Sequence, residues 1–260
     1  VTPISSTVVI TGASSGIGTA LALRHAHAAA TLGLIGRNRK RLQNIAAECQ
    51  SRGAEVSVGE VDVRARDELR RWLEAFDDAK PIDLLIANAG VMEGTPPGGT
   101  IEPPDAAYAL MQTNVLGTLN TVQPLIPRMM ARRRGQIAIV SSIAGFIPLP
   151  DSPSYCASKA AVLTYGLALR ALLRPYGVGV SVICPGFITT PMMWRESGPK
   201  PFAVSAGKAA ELICRGLSRN RATIVFPLFF ALATRIGGLL PDSLRRRTTR
   251  PFRFTVSDPN

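Results

Sequence analysis

Ser142, Tyr155 and Lys159 carry the types and spacing that suggest chemistry: a hydroxyl, a phenol thirteen residues later, and an ammonium four residues beyond that. Four residues is about one helical turn, which stacks Tyr155 and Lys159 on one face. A carbonyl oxygen gains negative charge as it is reduced and must be quenched by a nearby acid. Tyrosine is a poor proton shuttle at its reference pKa of about 10. An adjacent ammonium stabilises phenolate and lowers that value, which is the role expected of Lys159 toward Tyr155. Ser142 would donate a hydrogen bond to the same substrate oxygen, orienting it and stabilising charge where it develops.

Such residues need a scaffold, and the pattern of the chain supplies one. Short apolar runs at 7–11, 32–36, 55–59, 82–87, 136–141, 178–184 and 223–226 read as strands, and helical patterns fill the gaps at 17–30, 38–52, 65–77, 105–132, 154–174 and 206–219. The strand runs are continuously apolar, as when both faces of a sheet are covered. This alternation predicts an α/β fold: one domain with a Rossmann-like, doubly wound parallel sheet of about seven strands and helices on both faces. Residues 1–240 are expected to form one catalytic domain, with a substrate flap at 190–205, and residues 241–260 a basic tail.

The run Thr11-Gly12-Ala13-Ser14-Ser15-Gly16-Ile17-Gly18 lies between the first strand and the first helix. Glycines there allow tight turning and close backbone approach, and a helix N-terminus offers free N–H groups to a pyrophosphate. The second strand ends in Gly36-Arg37 where an NAD-binding unit would carry an acidic residue for the ribose. A carboxylate there would repel a 2′-phosphate, whereas Arg37 can grip one, with Arg39 and Lys40 adding field. The expected cofactor is therefore NADP(H) in preference to NAD(H).

Together, TGxxxGxG at 11–18, Asp62-Val63, Asn88-Ala89-Gly90, Asn114, Ser142, Tyr155-x-x-x-Lys159 and Pro185-Gly186 resemble the short-chain dehydrogenase/reductase family over residues 7–190. Ala87 departs from it, standing where many relatives have a second Asn. The resemblance implies that Gly12, Ser14, Ser15, Gly16, Ile17 and Gly18 cradle the cofactor and that Asp62 bonds the adenine amino group with Val63 beside it. It also implies that Asn88, Ala89 and Gly90 pass under the adenine ribose and that Lys159 bonds the nicotinamide ribose. Beyond Pro185 and Gly186, the Ile188 backbone and a threonine hydroxyl would hold the carboxamide; Thr189 and Thr190 both stand there, and the family pattern favours Thr190. Asn114 is similar to the family's fourth catalytic residue, which interrupts its helix to hold a water linking Lys159 to solvent. Relatives are commonly homodimers or homotetramers joined through the helices that carry Asn114 and Tyr155. The function implied is an oxidoreductase interconverting a carbonyl and a secondary alcohol, with a small-molecule substrate held by Ser142 and Tyr155. The alternative is a non-enzymatic NADP-binding sensor, which would normally tolerate loss of Tyr155 or Lys159.

Composition narrows the rest. The four cysteines are scattered without a CxxC, and His25 and His27 point to different helix faces, so no metal site or disulfide framework is expected. A reducing cytoplasm is the default compartment. No leader is expected, and no uncharged run reaches the roughly 18 residues of a membrane span. A net charge of +12 invites polyanions, yet no specific nucleic-acid motif accompanies it. No acid precedes Glu48, and a second basic cluster holds Arg245, Arg246, Arg247, Arg250 and Arg253. The apolar stretch from Val225 followed by these arginines suits peripheral contact with anionic lipid, or else packing over the pocket or at a subunit interface beside a solvated tail. Met192, Met193, Trp194 and Phe202 suit a flap over a hydrophobic substrate, and core packing explains them equally well.

Overall fold

In a computed structural model that describes residues 6–227, 241, 243–244 and 253–257, β1 (Thr7–Thr11) is buried along its whole length. Its side chains alternate between two cores: Val8 and Ile10 pack into one, Val9 into the other. Both faces of the sheet are therefore covered, which is why the strand is apolar at every central position.

The remaining strands are β2 (Thr31–Gly36), β3 (Glu55–Glu60), β4 (Leu84–Ala87), β5 (Gln136–Val140), β6 (Gly179–Pro185), β7 (Ile188–Thr189), β8 (Val204–Ser205) and β9 (Thr223–Phe226). Among the described residues seven of them form one parallel sheet, ordered β3-β2-β1-β4-β5-β6-β9. Val8 is in register with Leu32 on one side and Leu84 on the other, so the chain reverses its winding at β1. Ligands of open sheets bind at such a switch point, beyond the carboxyl ends of the strands. The pair β7 and β8 lies apart from the sheet and brackets the flap.

The helices are α1 (Gly16–His25), α2 (Arg39–Ser51), α3 (Arg66–Ala79), α4 (Pro104–Met111), α5 (Gly117–Val122), α6 (Ile126–Ala131), α7 (Pro153–Leu173), α8 (Pro191–Trp194) and α9 (Ala206–Leu217). One face carries Leu21 of α1, Leu42 of α2 and Ile213 of α9. The other carries Leu73 of α3, Met129 of α6 and Val162 of α7. The segment Pro153–Tyr176 is apolar enough by composition to cross a membrane, but here Val162, Leu169 and Leu173 pack into the core instead.

Two expectations are corrected. The helix predicted over 105–132 is divided into α4, a π-turn at Gln112–Leu116, α5, a 3-10 turn at Gln123–Leu125, and α6. Pro124 and Pro127 account for the later breaks, because proline removes an N–H and clashes with the preceding turn. The helix predicted to run to residue 30 ends at His25, where Ala26 turns extended to enter β2. The strand read at 223–226 is β9, so the apolar stretch noted from Val225 begins inside it. The rest of that stretch and Arg245, Arg246, Arg247 and Arg250 lie outside the described residues. Residues 253–257 of the basic tail pack on the rim of the sheet's carboxyl end, where Val256 donates to Thr95 O at 3.0 Å and Ser257 to Arg195 O at 2.9 Å.

Candidate active site

The loop after β1 is pressed against the loop after β4. Gly12 has φ +66°, and a Cβ there would stand 2.8 Å from Ala89 Cα; Gly16 has φ +56°. Thr11 Oγ1 accepts from the N–H groups of Asn88 and Ala89 at 3.1 and 3.2 Å, and Asn88 Nδ2 donates to Thr11 O and Gly12 O. These contacts fix the floor of a cavity of about 1150 Å³ that runs along the carboxyl end of the sheet. Ser15 stands at the N-cap of α1 with its hydroxyl making no capping bond, so the first-turn N–H groups remain available to an anion.

Most of the expected cofactor residues line this one cavity: Gly12, Ser14, Ser15, Gly16, Ile17 and Arg37, then Asp62, Val63, Asn88, Ala89 and Gly90, then Pro185, Gly186, Ile188 and Thr190. Gly18 does not line it. A Cβ at Gly18 would fall 2.2 Å from Gly12 O, so its smallness lets α1 pack against the loop. Thr190 lines the cavity, and Thr189 does not. Arg39 faces Glu60 at 3.9 Å instead of adding to the Arg37 field. Arg41 lines the cavity in its place, one turn into α2, together with Asn38, whose side chain caps that helix by accepting from Arg41 N at 2.9 Å. Neither was singled out from sequence; N-cap spacing was the available signal. The Asp62 carboxylate is held by Arg64 at 2.7 Å. Burial would raise its pKa, but the Arg64 hydrogen bonds and the charges of Arg64 and Arg37 outweigh that and hold it below the usual range.

Ser142, Tyr155 and Lys159 converge at the far end of the same cavity. The two serines divide their work. Ser141 Oγ donates to Lys159 O at 2.7 Å, tying β5 to α7, while Ser142 Oγ accepts from Ala144 N at 3.1 Å and donates to Pro185 O at 3.5 Å. Lys159 Nζ lies 5.6 Å from the centre of the Tyr155 ring and donates to Val140 O at 3.2 Å. The expected lowering of the phenol pKa is not what this geometry produces. Burial pushes Tyr155 up, against the Ser142 hydrogen bond and with help from Glu196, and burial also lowers Lys159 to about 8. Both groups are held toward their neutral forms because both have left water.

Asn114 is buried behind the cavity and does not line it. Its Oδ1 accepts from Val91 N at 2.8 Å, and its Nδ2 donates to Val91 O at 2.9 Å and Ser158 Oγ at 3.0 Å. Ser158 in turn donates to Tyr155 O. The π-turn carries Asn114 into this brace, with Gly117 N–H reaching back to Gln112 O. A Cβ at Gly90 would lie 3.2 Å from Asn114 Oδ1 and 3.4 Å from Lys159 Nζ, so the two side chains meet behind that glycine.

The substrate end holds residues that sequence reasoning passed over, among them Glu196 and Phe254. Phe254 arrives from the chain's end, where Arg253 Nε pairs with the buried Asp151 at 2.6 Å and Phe254 N donates to the same carboxylate. No pattern local to either segment announces such a contact. Among the described residues no cluster of His, Cys, Asp and Glu could hold a metal ion.

A helix N-terminus beside free basic side chains suits a dinucleotide, and a phenol at the other end of the same cavity suits a carbonyl; that combination defines a nicotinamide-dependent oxidoreductase. The family model described as short chain dehydrogenase matches residues 6–200. An uncharacterized oxidoreductase of Myxococcus xanthus is 36% identical over 252 residues, covering 95% of this chain and 97% of its own. Among solved structures, a short-chain dehydrogenase from Sphingobium yanoikuyae in complex with NADPH superposes with a TM-score of 0.77 at 26% identity, covering 95% of this chain and 96% of the other. One from Mycobacterium paratuberculosis bound to NAD gives 0.73 at 26% identity, covering 84% and 95%. The chain belongs to the short-chain dehydrogenase family.

Proposed function

We propose that this protein is an NADP(H)-dependent oxidoreductase that interconverts an apolar ketone and its secondary alcohol, with Tyr155 as general acid and base. The observation that carries the reading is the meeting of Ser142, Tyr155 and Lys159 in the cavity that also passes Ser15 and Arg37. A bound nicotinamide supplies or takes the hydride. The chain's own residues do the rest. Ser142 holds the substrate oxygen, Tyr155 gives it a proton during reduction, and Lys159 bonds the nicotinamide ribose and stabilises phenolate once the proton has left. A high phenol pKa in the free protein keeps that proton in place until it is needed. Gly36 at the end of β2, Arg37 just after it and Arg41 in the first turn of α2 favour a 2′-phosphate over a bare ribose. Oxidoreductase names among similar chains give the non-enzymatic alternative no support.

The site is tested by Tyr155→Phe, which is expected to bind NADPH as the parent does while losing turnover of an aliphatic ketone by orders of magnitude. An undiminished kcat would overturn the mechanism. A wild-type kcat/KM with NADH equal to or above that with NADPH would overturn the cofactor preference alone. We also infer a homo-oligomer joined through α4, α5 and α7, where Tyr108, Leu116 and Leu172 stand exposed.

A further inference from the structure

We propose that Glu196 is a specificity-determining residue, and that its carboxyl, in the acid form, donates a hydrogen bond to a second oxygen on an apolar carbonyl substrate. The inference rests on the reading that this cavity reduces a ketone, and it adds what else that ketone must carry.

Two acidic side chains line the cavity among the described residues, Asp62 at the cofactor end and Glu196 at the substrate end. Asp62 is satisfied by Arg64. Glu196 has no ion pair or side-chain hydrogen bond among the described residues, although cations surround it. Arg195 is engaged by Glu93 at 2.9 Å and by Ser257 O at 2.8 Å, and Arg253 by Asp151. Lys200 Nζ donates to the backbone carbonyl of Glu196 at 2.7 Å. The carboxyl is thus left without a partner while Arg195 and Arg253 are paired and Lys200 is turned to a backbone carbonyl.

Its placement is built. Glu196 N donates to Met193 O at 3.2 Å, and the residue forms an antiparallel bridge with Val256. The neighbouring lining is apolar: Met192, Met193, Pro199, Phe202 and Phe254. Partial burial raises the carboxyl to about 7 against the opposing charge of Lys200, and its own charge helps to raise Tyr155 across the same cavity. Once a substrate covers it, an unpaired carboxyl is costly. In a substrate site that cost becomes discrimination, because an analogue without the matching group leaves it unpaired.

The other groups packed around it are Tyr155 and Lys159 on α7, Lys200 in the flap, and the Arg195–Glu93 and Arg253–Asp151 pairs. Lys159 also titrates near neutrality, so the readout compares two substrates that share its effect. The experiment measures kcat/KM for a long-chain β-keto ester and for the methyl ketone of equal length, from about pH 6 to pH 8. In the wild type the ester-to-ketone ratio should fall as pH rises through about 7, since only the protonated carboxyl can donate to an ester carbonyl. Glu196→Ala should lower the ratio about tenfold at the acid end, roughly one lost hydrogen bond. Glu196→Gln, whose amide donates at every pH, should keep a high ratio that no longer varies with pH. An unchanged ratio in Glu196→Ala, or a wild-type pH profile in Glu196→Gln, overturns the inference while leaving ketone reduction intact. A wild-type protein that reduces neither substrate overturns both.

Discussion

Tyr155 and Lys159 lie one turn apart, as their spacing predicts, yet in the free protein each is drawn toward neutrality by burial, Lys159 to about 8. What spacing conveyed was adjacency; the dielectric around the pair depends on β5, the flap and the strap at 253–257, which no local pattern reports. At the cofactor end the balance is simpler. Arg37 and Arg41 line the cavity without a carboxylate partner among the described residues, whereas Arg39 faces Glu60. Charge-assisted bonds to a phosphate contribute about 1.5–3 kcal/mol. Arg37→Ala should accordingly reduce kcat/KM with NADPH by roughly ten- to a hundredfold and leave that with NADH within about threefold. Equal losses with both cofactors would mean that Arg37 shapes the loop and does not read the phosphate.

Among elements, the strands were the most legible. Buried parallel strands are apolar at successive positions, and turn residues bound them. The break at Asn114 in 105–132 was legible only through the family resemblance, because a π-turn has no propensity signature and forms where tertiary contacts need it. Here the need is the brace from Val91 through Asn114 to Ser158 and Tyr155. Thr118 Oγ1 also takes up Asn114 O at 2.7 Å, satisfying a carbonyl that the altered ladder would otherwise free. Asn114→Leu nearly preserves volume but orphans Val91 N–H, Val91 C=O and one partner of Ser158. At about 1–3 kcal/mol per orphaned group, part of it recovered by relaxation, a loss of about 2–4 kcal/mol is expected from urea unfolding. Turnover should fall with it as α7 loses its hold on the loop after β4. A loss within a few tenths of a kcal/mol would show that the brace is dispensable. Glu196 and Phe254 escaped the sequence for a related reason: both reach the cavity through pairing between Glu196 and Val256, segments far apart in the chain.

At the scale of the whole molecule two features oppose each other. The chain carries a net charge of +12, so two copies repel at long range. Yet the helices that hold Asn114 and Tyr155 expose apolar side chains toward solvent, with Tyr108 at 74%, Leu116 at 56% and Leu172 at 63%. Large apolar side chains exposed on these helices suit an association surface. Covering it would steady α7 from behind while leaving the flap and strap free to admit substrate. Repulsion between like-charged copies is screened over about 10 Å at 0.1 M salt, whereas burial of apolar surface is not weakened by salt. Association should therefore strengthen as salt is raised, which is the reverse of what an assembly held by ion pairs would do. Light scattering on the wild type should give a dimer or tetramer whose dissociation constant falls between about 0.05 and 0.5 M sodium chloride. Leu116→Glu combined with Leu172→Glu should give a folded monomer that still binds NADPH. A wild-type monomer at micromolar concentration in high salt, or an assembly unaffected by both substitutions, would place the interface elsewhere or remove it.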